Sequence, residues 1–147
     1  MKNNNEIKKL NNKGFSLVEL IIVIAIMAVL IGVLAPQYLR YVEKSRRSAD
    51  ATTVSEFVSA MSTLASDTSA NLSTSATYTV TSAANSNAIA ISADLSSNTV
   101  FAGFIDVTAT YTFKSQDFKD ANISIELTYN DTDKVWRVEQ KNVPNVD

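Results

Sequence analysis

The chain of 147 residues is predicted to be α+β: one long N-terminal helix, bent once and transmembrane in its first half, packed on a small antiparallel β-sheet. Three features predict this. An unbroken apolar run fills Leu20 to Ala35, a helical apolar stripe continues towards Ala65, and period-two alternation fills the last third.

From Phe15 to Ala35 only Ser16 and Glu19 interrupt the apolar character. At 1.5 Å per residue, such a run crosses a hydrocarbon core of about 30 Å. A cleavable secretory signal would be shorter and closed by small residues of A-x-A type. The run instead ends in Val33-Leu34-Ala35-Pro36-Gln37-Tyr38, so the helix is expected to stay with the protein. Before it, residues 1–14 form a basic leader, with Lys2, Lys8, Lys9 and Lys13 against Glu6 alone. A basic flank stays cytoplasmic and places the acidic portion beyond the helix outside. Glu19 stands out, because an ionised carboxylate inside such a run costs about 2.5–3.5 kcal/mol and calls for a partner.

Residues 15–36 are the expected membrane helix and 37–66 its amphipathic continuation. Pro36 removes a bond to the carbonyl of Gly32, itself a poor helix former, so 32–36 is an expected bend or weak point. Either the helix ends at Ala35 or it continues. Continuation is favoured, because Val54, Phe57, Val58, Met61, Leu64 and Ala65 recur at steps of three and four, with Glu43, Lys44, Arg46, Arg47 and Asp50 in the turns before them. The whole helix would then hold about 50 residues and span roughly 75 Å.

Residues 67–98 are rich in Ser, Thr, Ala and Asn, too polar to hold a core alone. Within them Thr77–Thr81 and Ala88–Ile91 alternate, as edge strands or as ordered loop. The exposed hydroxyls are either solvated loop or sites for sugar. Residues 99–147 are the expected sheet, with strands at Val107–Phe113, Ile123–Tyr129 and Lys134–Glu139 and a polar turn before the last. Phe57, Met61, Tyr111, Phe113, Ile125, Leu127 and Trp136 are the expected core.

The chain has no cysteine and no histidine. That excludes disulfides, thiol nucleophiles and thiolate metal sites, and removes the commonest general base. From Ala49 onward twelve acids face five bases (Lys114, Lys119, Lys134, Arg137 and Lys141). No polar constellation suggests an enzyme, and no cofactor is implied. Asp131 and Asp133 lack a full oxygen set for calcium, and a polar hairpin turn accounts for them, so no metal site is assigned.

Lys13-Gly14-Phe15-Ser16-Leu17-Val18-Glu19, after a basic leader and before an apolar helix with Pro36 near its end, resembles the type IV pilins and pseudopilins. The resemblance covers Lys13 to about Pro36. It implies a prepilin peptidase that cuts between Gly14 and Phe15 and methylates the new amine of Phe15. It also implies assembly in which Glu19 meets the Phe15 amine of another subunit; the alternative keeps Glu19 with the amine of its own chain. Gly32 and Pro36 would let the helix lose order on leaving the bilayer.

The implied function is a structural, non-catalytic pilus subunit for adhesion, motility or other surface interaction. It would sit in the membrane before assembly and in an extracellular filament afterwards. The implied partners are other pilin subunits, the peptidase, an assembly ATPase and a platform protein. A pseudopilin of a type II secretion-like or competence (DNA-uptake) system is the alternative, and a monomeric membrane-anchored binding domain is the second. The acidic outer portion argues against direct nucleic-acid contact. Many pilins close a C-terminal loop with a disulfide; this chain cannot.

Overall fold

The structure, a computed structural model, describes residues 14–83 and 85–146. Helix α1 runs without interruption from Leu17 to Ser66, 50 residues, with Pro36 inside it. The alternative of a helix ending at Ala35 is thereby excluded. The chain divides into two units, one ending at Leu39 and the other beginning at Arg40.

In the first unit, the apolar side chains of α1 from Leu17 to Leu34 are exposed along their whole length. Among the described residues of this unit nothing covers them, as expected of a segment whose solvent is lipid.

The second unit holds the second half of α1, a 3-10 turn at Thr68–Ala70, and strands β1 (Tyr78–Ser82) and β2 (Ile89–Ile91). It continues with short helices α2 (Ala93–Ser96), α3 (Thr99–Ala102) and α4 (Gln116–Asp120), then strands β3 (Ser124–Asn130) and β4 (Val135–Lys141). The sheet order is β2-β1-β3-β4 with every pair antiparallel. Val54, Phe57, Ala60, Met61 and Leu64 of α1 are buried in one cluster with Tyr78 and Val80 of β1 and Ile125 and Leu127 of β3. The three-and-four spacing of the helix and the alternation of the strands meet there. Trp136 of β4 is half-buried, its ring centroid 5.9 Å from that of Tyr78 and 5.2 Å from that of Tyr129.

Two expectations are corrected. Thr77–Thr81 does more than edge a sheet: β1 is interior, paired to both β2 and β3. Its alternating Tyr78, Val80 and Ser82 are all buried. Conversely, Val107–Phe113 is not a strand but a loop with one isolated bridge, Ala88 to Thr112. Backbone hydrogen bonding explains this. The Asp106 side chain takes the Thr108 N–H at 3.0 Å, and its carbonyl takes that of Ala109 at 3.0 Å, which folds the front of the segment into a turn. Behind it, the amides of Lys114 and Ser115 are taken by Asp50. Tyr111 and Phe113 still reach the core, and the Tyr111 ring meets Phe57 edge-on with centroids 5.1 Å apart.

Asp50 is 2% exposed. Its carboxylate accepts from the Lys114 N–H at 2.9 and 3.0 Å and from the Ser115 N–H at 2.7 Å. One and two turns earlier on the same face, Arg47 pairs with Asp117 at 2.7 Å and Glu43 accepts from the Gln116 N–H at 2.7 Å. Three side chains at i, i+4 and i+7 thus hold the start of α4 against α1. Elsewhere on α1, six hydroxyls (Thr52, Thr53, Ser55, Ser62, Thr63 and Ser66) donate to the carbonyl four residues back, at 2.8–3.3 Å.

Asp131 and Asp133 lie in the turn between β3 and β4. Asn130 Oδ1 accepts from the Thr132 N–H at 2.9 Å, Asp131 pairs with Lys134 at 3.4 Å, and Asp133 pairs with Arg137. The turn closes with Lys134 at φ 58°.

Asp50→Ala leaves the buried Ser115 amide and the part-buried Lys114 amide without their acceptor and is expected to cost about 3 kcal/mol. Thermal melting of the full chain in detergent, followed by near-ultraviolet circular dichroism at Trp136, measures it. A midpoint unchanged from the parent would remove Asp50 from its role.

The β3–β4 pair carries a pH signature. Glu126 stands opposite Glu139, and Lys141 bonds Glu126 Oε2 at 2.7 Å. The Lys141 ammonium, then the Ser124 hydroxyl, hold the Glu126 carboxyl below its ordinary value, while Glu126 raises Lys141. The stability from Glu126 is present above its unfolded pKa and is lost as pH falls through the lowered folded one. That from Lys141 is present below its unfolded pKa and is lost as pH rises through the raised one. Lys141→Ala should therefore destabilise most between about pH 4.3 and 10.4, the unfolded reference values, and converge with the parent beyond both ends. Urea titrations across pH measure the difference.

Candidate functional site

The candidate site is the entry to α1. Gly14, Phe15 and Ser16 are exposed and non-helical, and α1 begins at Leu17. The Ser16 carbonyl accepts the first helical bond, from the Leu20 N–H at 3.2 Å. Ser16 is therefore the N-cap residue and Glu19 the third residue of the helix. Glu19 Oε2 accepts from the Ser16 backbone N–H at 3.0 Å, and Ser16 Oγ accepts from the Val18 N–H at 3.4 Å. Two otherwise orphaned donors of the first turn are satisfied in this way, and a carboxylate sits at the positive end of the helix dipole.

This reciprocal cap is absent from the sequence-based expectations, although its signal is present. Ser16-Leu17-Val18-Glu19 has the Ser-x-x-Glu spacing before an apolar run. It gives Glu19 a partner within its own chain, which is the Ser16 amide and not the Phe15 nitrogen. The leader, apart from Gly14, lies outside the described residues, as does its lysine cluster.

Gly14 is not required by its own surroundings. Among the described residues, a Cβ added there meets nothing within 4 Å, and its φ is not positive. The same holds for Gly32 within α1. Within the helix, Gly32 costs about 0.5–1 kcal/mol against alanine. Phe15 is 90% exposed and Gly14 beside it is exposed as well. Pro36 lies inside α1 four residues after Gly32. Gly32 and Pro36 are thus on the one helix but far in sequence from the Phe15–Glu19 cluster.

Ser16→Ala removes one half of the cap. Its expected cost is about 1 kcal/mol, or roughly fivefold faster hydrogen exchange at the first-turn amides. Exchange measured by mass spectrometry on the chain in detergent micelles checks this, and unchanged exchange would mean that the cap contributes nothing.

α1 is long and apolar enough to cross a membrane, as judged by length and composition. No solved structure matches the chain. Residues 9–35 match the family described as the prokaryotic N-terminal methylation motif. The match spans the last part of the leader, the Gly14–Phe15 bond, the capped helix start and the apolar run. Such a motif implies, in general, processing by a prepilin peptidase and polymerisation into filaments. With its long apolar helix and four-stranded antiparallel sheet, the chain is type IV pilin-like and carries the prokaryotic N-terminal methylation motif at residues 9–35.

Proposed function

We propose that the chain is a prepilin, a structural subunit that is cut between Gly14 and Phe15, methylated on Phe15 and polymerised through α1 into a surface filament. The observation that carries this reading is the methylation motif at residues 9–35, set on an exposed apolar helix with Gly14 and Phe15 exposed before it. Hydrolysis of that bond sends the Gly14 carboxylate away with the leader, residues 1–14, and leaves an amine on Phe15. Two charges that are costly in lipid can then offset each other between copies, which favours the stagger that pairs them.

The cap refines the role of Glu19. With Oε2 on its own Ser16 amide, Glu19 keeps Oε1 for the Phe15 amine of a neighbouring copy, so capping and pairing do not compete. Residues 15–36 serve first as anchor and then as filament core. Gly32 and Pro36 supply the local flexibility for that transfer. Residues 37–66 carry the head, of which 67–98 and 99–147 form the outer surface. An assembly ATPase and a platform protein drive the transfer, and the filament serves adhesion, motility or other surface contact.

N-terminal mass spectrometry of membrane and sheared surface fractions tests the processing. The expected species begins at Phe15 and carries one methyl group; a chain that keeps Met1 in both fractions overturns the reading. Glu19→Gln tests the pairing, because glutamine retains the cap acceptor but not the charge. The variant should be cut and anchored as the parent is, with surface filaments reduced by about tenfold or more. Filaments at parental level would reduce Glu19 to a helix cap.

A further inference from the structure

The first charges after the apolar run are Arg40, Glu43, Lys44, Arg46 and Arg47, four cations to one acid. Arg40, Lys44 and Arg47 recur at i, i+4 and i+7, which sets them on one face of α1. With Glu43 and Val146 they line a hollow of about 280 Å³. Arg40 and Lys44 are exposed, and Tyr41 beside them is 73% exposed. Arg47, also on the wall of the hollow, is held there by Asp117, to which it gives one terminal nitrogen at 2.7 Å. An exposed tyrosine among lysine and arginine just past a membrane-length run is the composition of a membrane–water boundary, where the ring lies at headgroup level and long cationic stems reach phosphate.

We propose that Arg40, Lys44 and Arg47 form a binding site for the phosphate of an anionic lipid headgroup on the outer face of the membrane, with Tyr41 as the interfacial ring beside it. The proposal rests on the membrane-anchored reading above. The ligand chemistry is a phosphate anion, and its source is lipid. Glu43 does not oppose it, since its carboxylate accepts from the Gln116 amide at 2.7 Å and lies 3.7 Å from Arg46. The site belongs to the subunit before assembly, when the helix still has lipid around it.

The full chain is reconstituted in nanodiscs of equal phosphatidylcholine and phosphatidylglycerol, and the lipid it retains is counted by native mass spectrometry. The parent should retain phosphatidylglycerol over phosphatidylcholine by at least about fivefold, the effect of a single cation near a charged surface. Arg40→Gln/Lys44→Gln should bring the ratio to near one without moving the Trp136 melting midpoint. Lys114→Gln/Lys134→Gln, which removes two exposed charges elsewhere, should leave the ratio unchanged. Equal retention of both lipids by the parent overturns the proposal, and so does an equal fall in the control variant. Loss of retention on adding millimolar inorganic phosphate overturns the lipid source. An Arg40→Gln/Lys44→Gln chain that keeps the lipid ratio but forms no filaments assigns these cations to a second copy instead, and also overturns it. A chain that washes out of the membrane in high salt breaks the anchored reading itself, a separate result.

Discussion

The carboxylate of Asp50 fixes how the second unit closes. It is buried, has no cationic partner among the described residues, and is held by the amides of Lys114 and Ser115. A buried acid is tolerable when donors surround its oxygens, and rigid backbone donors do so in one geometry only. The long connection between β2 and β3 must therefore meet α1 at Asp50. Once it does, Phe113 and Phe118 fall into the core with ring centroids 5.4 Å apart. Glu43 and Arg47 extend the same grip along the helix, so that position 116 and the side chain of Asp117 are also set by α1.

The legible parts of the chain were those governed by period. The stripe from Val54 to Leu64 and the alternation of Ile123 to Tyr129 each declare a buried face, and both faces are in the core. Val107 to Phe113 has an equally regular alternation, yet it forms no strand. Period reports which side chains are apolar and not whether the intervening amides have strand partners. Here the Thr108 and Ala109 amides are taken by Asp106, the Phe113 amide by the Asn87 carbonyl, and the chain just beyond, at Lys114, by Asp50, 64 residues away in sequence. The opposite error befell β1, whose threonines and short run suggested an edge. Its interior place depends on pairing with both β2 and β3, which no local pattern records.

At the helix entry, the motif was legible but its local physics was not. Gly14, Phe15 and Glu19 could be read by position alone, while the pairing of Ser16 with Glu19 was not. Its value lies in the three-residue offset to Glu19, which turns two isolated side chains into a reciprocal cap. The same carboxylate therefore has a structural duty in a single chain, before any question of a second copy arises. Charge and hydrogen-bonding capacity are separable properties of Glu19: within the subunit the second holds the Ser16 amide and the first faces the positive end of the helix dipole.

The hydroxyls of the second half of α1 carry a different consequence. Thr52, Ser55, Ser62, Thr63 and Ser66 look from composition like a hydrated surface, yet each has spent its proton on a carbonyl of its own helix. A donor already satisfied loses little when water leaves, so the usual desolvation penalty of a polar face is largely absent. What such a face presents outward is mostly methyl and methylene. Such a face can be covered without leaving any of these protons stranded.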